Sequence, residues 1–228
     1  VSSTTTPRRA LLAPQGPRRR TRPALVVLGL AFLLLGGGVL GWSVYQLYFD
    51  PLVDPRVAQA EVSDLRDEWQ RQPVDGKPIP GEAMALLRIP GFGESFEQPV
   101  LAGTTQATLK KGLGWFDNTA EAGQVGNFAV AGHRGSKGPF APIMTLNKGD
   151  KVVVETRTAI YTYELTNNPR DITVKSSEIW VLDPVPGEPA AIPTEPLLTL
   201  VTCEDLFHSP DRTISFGRLV DTQAKKQP

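Results

Sequence analysis

The longest apolar run in the chain covers 24–49, twenty-six residues without a formal charge. About 20 apolar residues span a bilayer core as a helix, so the run predicts one membrane-spanning helix. Trp42, Tyr45 and Tyr48 near its far end resemble the aromatic belt of a membrane interface. A cleaved signal peptide has a shorter apolar core, about 7–15 residues, and the small-x-small pattern Ala58-Gln59-Ala60 lies well beyond the run. The expectation is an uncleaved signal anchor. Past it, Asp50-Pro51 and Asp54-Pro55 break the helical pattern, and Ala58, Val62, Leu65 and Trp69 then recur at the spacing of one helical face within 57–71. The stretch 72–81, rich in Pro and Gly, reads as a linker.

From Glu82 the pattern changes to short apolar runs separated by turn residues. Strands are predicted over 83–89, 97–101, 128–131, 151–156, 160–172, 197–202 and 212–220, with a hairpin turn at Arg157-Thr158. Short helical turns are predicted over 139–146 and 176–181. Many short strands without strand–helix alternation indicate a mainly β sandwich or barrel. The expected organisation is a disordered basic tail at 1–23, the anchor at 24–49, a linker at 50–81 able to carry a short helix, a β domain at 82–222 and a frayed tail at 223–228.

Charge sharpens this picture. The formal net charge of zero hides six arginines and no acid before the apolar run, leaving 18 basic and 24 acidic residues, a net of −6, in the remainder. An arginine cluster beside a membrane span stays cytoplasmic, which places the 180 or so C-terminal residues outside the cell. A net-acidic exported domain does not attract nucleic acid through its field.

The chain has a single cysteine, Cys203, at the end of a predicted strand, and two histidines. His133 follows the predicted strand 128–131, and Arg212 opens the last predicted strand, nine residues after the cysteine. A free thiol has a pKa of about 8.5 and needs a base or a positive neighbour to act as a nucleophile. His133 and Arg212 can supply these if their strands adjoin that of Cys203. Other readings stand beside this one. A lone cysteine can be an apolar filler, and an isolated histidine is often structural. His208, five residues after the thiol, is a second candidate base. One cysteine with one histidine falls short of the four ligands of a structural zinc site, so neither metal nor cofactor is expected. Arg134 is adjacent to His133, but consecutive side chains on extended backbone face opposite ways, which favours Arg212.

These residues carry a pattern. Thr199-Leu200-Val201-Thr202-Cys203 is similar to the T/L-L-x-T-C signature of sortases, membrane-anchored cysteine transpeptidases of Gram-positive bacteria. Ala131-Gly132-His133-Arg134 resembles their histidine signature, and Arg212 stands where their arginine follows the cysteine. Gly126–Val130, the segment from Phe140 to Leu146 and Lys148-Gly149-Asp150 add looser matches, and the resemblance covers about residues 82–221. The stretch from Gly103 to Gly114 and Cys203-x-x-x-Phe207…Arg212 are most similar to the class E housekeeping sortases of actinobacteria. Glu204-Asp205-Leu206 departs from the family's usual residues after the cysteine, and Asp50-Pro51-Leu52 lacks the aromatic of a pilin-polymerising lid.

The resemblance implies an eight-stranded β-barrel with its site at one rim, and His133, Cys203 and Arg212 as catalytic residues. It implies that Thr202 helps shape the substrate pocket. The implied activity is cleavage of an L-A-x-T-G or L-P-x-T-G sorting signal between Thr and Gly, then transfer to the amine of a peptidoglycan precursor. The implied partners are signal-bearing secreted proteins, that acceptor amine and the lipid bilayer. A hydrolytic cysteine peptidase and a non-catalytic membrane-tethered binding domain are the alternatives. Papain-like enzymes place cysteine before histidine, the reverse of the order here.

Overall fold

Pro23–Tyr48 forms helix α1, and its stretch Ala24–Tyr45 is long and apolar enough to cross a membrane. The computed structural model describes residues 23–48, 53–71, 81–135, 137–203 and 210–226. The expectations for the arginine-rich segment, Asp50-Pro51, the linker at 72–80, Glu204-Asp205, His208 and the last two residues lie outside the described residues.

The rest of the chain is a second unit, and its first element is helix α2, Pro55–Arg71. Asp54 starts it: its side chain accepts from the Arg56 N–H at 2.9 Å and its carbonyl from the Ala58 N–H at 3.0 Å. Pro55 at the first turn has no N–H to leave unpaired. The amphipathic spacing in the sequence is used against the barrel, where Ala58, Leu65 and the preceding Val53 are buried. Ion pairs hold the rim of that contact, Arg66–Glu97 at 2.7 Å and Lys111–Glu61 at 2.8 Å. The Lys225 ammonium lies 4.2 Å from the centre of the Trp69 ring.

Nine strands follow: β1 Ala83–Arg88, β2 Glu97–Ala102, β3 Leu113–Trp115, β4 Gly126–Ala131, β5 Lys151–Glu155, β6 Ala159–Leu165, β7 Thr173–Lys175, β8 Pro196–Cys203 and β9 Asp211–Ala224. Eight of them close a ring in the order β6-β5-β1-β2-β3-β4-β8-β9, sealed by the β6–β9 ladder. The ninth, β7, adds a short ladder to the start of β9. The expected eight-stranded barrel is therefore the fold. Most neighbours are antiparallel, while β2–β3 and β4–β8 run parallel. Its interior is packed with Leu87, Val100, Phe128, Val130, Val152, Val154, Leu198 and Leu200, none exposed to solvent. Tyr163 joins them, and its hydroxyl accepts from the Gly123 N–H at 2.7 Å. Burial pushes that phenol up to about 12.

The structure corrects several boundaries. The predicted strand 160–172 ends at Leu165, because Asn168 and Pro169 enter a 3-10 turn over Pro169–Asp171, and proline cannot donate to a ladder. Thr173–Lys175 then starts a separate strand. The tail does not fray at Gln223. β9 runs to Ala224 because Ala159 pairs with it, and Lys225 donates its N–H to Thr158 at 2.8 Å. The four-residue helix α3, Gln106–Leu109, and strand β3 are too short to show a period in the sequence.

Candidate active site

The three residue types that the sequence singles out converge because β8 is flanked by β4 on one side and β9 on the other. The parallel β4–β8 ladder ends at Ala131↔Val201, and the Gly132 N–H extends it with a 3.1 Å bond to the Val201 carbonyl. His133 follows directly. On the other side, antiparallel β8–β9 places Cys203 opposite Arg212 and Thr202 opposite Thr213. Cys203 thus ends the middle strand, with the histidine segment beside it and the arginine across from it.

A cleft of about 320 Å³ opens at this rim, and Gly132, His133, Val201, Thr202, Arg212 and Ile214 contribute to its lining. His133 is 8% exposed, a ring sunk into the rim. Arg212 is half-buried and donates through Nη1 to the Asp211 carbonyl at 3.0 Å. Lys175 pairs with Asp211 at 2.6 Å, which fastens β7 to the start of β9 beside the arginine. The Thr202 hydroxyl donates to the Gly132 carbonyl at 2.7 Å, so this threonine ties the cysteine strand to the histidine segment.

Sequence reasoning missed the opposite walls. Thr104, Leu109 and Phe116 form one of them, set by α3, whose N-cap Thr105 accepts from the Thr108 N–H at 3.2 Å. Val174, Ile179 and Leu182 supply the other, and Ile179 leaves 73% of its surface exposed at the mouth. The only sequence signal for α3 is the Thr-Thr step at its start, a capping residue before four helical positions.

Arg134 does not line the cleft, and its Nε and Nη1 are buried without a hydrogen-bond partner among the described residues. Thr199, at the start of the cysteine signature, donates to Asn127 Oδ1 at 2.7 Å, and Asn127 in turn donates to the Val181 and Asp183 carbonyls, both at 3.1 Å. This buried chain of bonds holds the Ile179 wall to the barrel. Among the described residues no group of three or more His, Cys, Asp or Glu is placed to hold a metal ion. The backbone register of Cys203 thus sets it between a histidine segment and an arginine that both line one cleft, and a thiol, an imidazole and a guanidinium are residue types suited to acyl transfer.

The sortase domain family matches residues 87–220. The chain is 31% identical over 88% of its length to Sortase SrtE1 of Streptomyces coelicolor, and the match covers 58% of that relative. It therefore spans less than two thirds of that protein. It is 29% identical to Sortase SrtE2 of the same organism over 92% of this chain and 90% of that one. Among solved structures, sortase E from Streptomyces avermitilis is 39% identical and superposes with a TM-score of 0.57, over 64% of this chain and 93% of that one.

Proposed function

The chain belongs to the sortase family of cysteine transpeptidases, and from that premise we propose that it joins exported proteins to the cell wall through a Cys203 acyl-enzyme. The observation that carries this reading is the register: Cys203 stands opposite Arg212, and His133, just past the end of the neighbouring strand, lines the same cleft as Arg212.

The chemistry follows from those positions. The Cys203 thiolate attacks the Thr–Gly carbonyl of a sorting signal and forms a tetrahedral oxyanion, which the Arg212 guanidinium and backbone N–H groups stabilise. As the C–N bond breaks, His133 gives a proton to the departing glycine amine. A thioester remains on Cys203. His133 then takes a proton from the incoming amine of a peptidoglycan precursor, whose nitrogen displaces the sulfur and leaves an amide. Thr202 shapes the pocket through the surface left after its hydroxyl bonds Gly132.

Helix α1 serves as the anchor, with the arginine-rich end in the cytoplasm and the barrel outside. The similarity to SrtE1, SrtE2 and sortase E supports a class E enzyme, with a sorting signal of the L-A-x-T-G or L-P-x-T-G kind.

Mass spectrometry of the chain from Val53 onward, incubated with each peptide and with an amine acceptor, tests the reading. Cleavage between Thr and Gly, an acyl adduct on Cys203 and an acceptor-linked product are expected. Free acid alone would indicate a hydrolase, and no adduct from the folded protein would end the catalytic reading. Cys203→Ala and His133→Ala should abolish the product, while His208→Ala retains most of it. An inactive His208→Ala beside an active His133→Ala would reassign the base.

A further inference from the structure

We propose that Gly138 is a positioning residue for His133, an inference that rests on the reading of His133 as the proton-transfer group. A Cβ built on Gly138 would stand 2.3 Å from the His133 carbonyl oxygen and 2.6 Å from its carbonyl carbon. Both are backbone atoms, so no side chain can rotate out of the way. Gly138 is absent from the glycines with positive φ. An alanine therefore fits its backbone conformation, and only the close approach to His133 demands glycine.

The surrounding bonds show why the approach is so tight. The His133 carbonyl accepts from the Phe140 N–H at 3.0 Å, and the Gly138 N–H donates to the Gly135 carbonyl at 2.7 Å. The chain leaving His133 thus turns back and lies against it. On the other side, a Cβ on Gly132 would stand 2.7 Å from Phe140 Cδ2 and 2.6 Å from Leu113 Cδ2. The fully buried Phe140 fills the space behind this glycine. His133 is held between two glycines, one packed on the Phe140 ring and one on the histidine's own carbonyl. A histidine that moves protons at both ends of a reaction needs this fixity more than a surface residue does.

An ordinary non-bonded contact begins near 3.4 Å, so Gly138→Ala must move the His133 and Gly138 backbones apart by roughly 1 Å, a misplacement on the scale that costs about 10²-fold in rate. The test uses the full chain in detergent, with a sorting peptide and an amine acceptor. In Gly138→Ala, kcat is expected to fall about 10²-fold with the peptide KM within about threefold. The pH–rate profile should also shift relative to wild type. Gly217→Ala is the control, since its Cβ would stand 3.2 Å from the Glu164 carbonyl oxygen, a backbone contact in the body of β9 and outside the cleft lining. It should lower the melting temperature and leave kcat and the pH profile unchanged.

A folded Gly138→Ala with wild-type kcat and pH profile would overturn the inference. If Gly138→Ala does not fold, Pro139→Gly loosens the same turn without adding an atom. It should lower kcat about tenfold with a shifted profile, and an unchanged profile overturns the inference equally. His133→Ala separates the two levels. Wild-type activity there defeats the catalytic reading itself, whereas an inactive His133→Ala beside an unaffected Gly138→Ala defeats only the positioning.

Discussion

Cys203 and Arg212 face each other as a directly opposed pair in the antiparallel β8–β9 ladder, with Thr202↔Thr213 and Val201↔Ile214 beneath them. Opposed residues of such a ladder lie about 4.5–5.5 Å apart at Cα. The pairing is therefore set by the register of two hydrogen-bonded strands.

The expected effect of Arg212→Lys follows from this rigidity. The lysine keeps the charge and the register position but loses the planar fork of donors. Under the proposed oxyanion role, kcat/KM should fall about 10²–10³-fold, the usual effect of removing one oxyanion donor. Steady-state kinetics with a sorting peptide measures it. A loss below about threefold would mean that the guanidinium geometry is not used.

Thr202→Val tests the tie between the cysteine strand and the histidine segment. Valine has nearly the same shape but cannot donate to the Gly132 carbonyl that Thr202 now bonds at 2.7 Å. The stranded buried carbonyl should cost about 1–3 kcal/mol of stability by denaturant unfolding. Activity should fall with it, about tenfold, because Gly132 directly precedes His133 and a shift of a fraction of an ångström reaches the ring. Wild-type stability in this variant would show that water or another donor replaces the hydroxyl.

Helix α2 belongs to the folding unit of the barrel, so removing it should be costly. A chain starting at 81 loses the burial of Val53, Ala58 and Leu65 together with the Arg66–Glu97 and Lys111–Glu61 pairs. Relative to a chain starting at Val53, its melting temperature should drop by at least about 5 °C, since roughly 1 kcal/mol moves a domain of this size by 2–4 °C. The same deletion opens the back of the histidine loop, because Val53, Pro55 and Ala58 share a cavity of about 390 Å³ with Lys137, Gly138 and Pro139. Equal melting temperatures for the two chains would reduce α2 to a spacer.

How much of this was legible in the sequence depends on the range of the interaction. The apolar runs of α1, β4, β5 and β8 and the one-face spacing of α2 are local, and each was readable. Cys203, His133 and Arg212 were readable as residue types and by resemblance, but their adjacency rests on the β4–β8–β9 order, which no spacing encodes. The Asn168-Pro169 break was present in the sequence, yet the flanking β-branched and aromatic residues masked it. The close approach of Gly138 to His133 could not be read at all. It depends on the three-dimensional return of the chain at Phe140, and a glycine in a loop otherwise signals only a turn.

Glu155 gives the clearest dependence on pH. It accepts from Arg88 Nη1 at 2.8 Å and from Lys225 Nζ at 2.8 Å, so it binds the edge of β1 to the end of the chain. Burial acts to raise its pKa, but the hydrogen bonds and charges of Lys225 and Arg88 outweigh it and hold the carboxyl below its ordinary 4.5. The folded protein therefore binds this proton less readily than the unfolded chain. Its contribution is complete above the ordinary carboxylate range and is lost as pH falls through the lowered value. Glu155→Gln should cost about 1 kcal/mol at pH 7, modest because both cations are partly exposed to solvent. In denaturant unfolding the gap to wild type should be smaller at pH 3 than at pH 7, because the carboxylate's contribution is lost as pH falls through the lowered value. A gap of the same size at both pH values would assign the loss to packing at the β1–β5 edge instead of to charge.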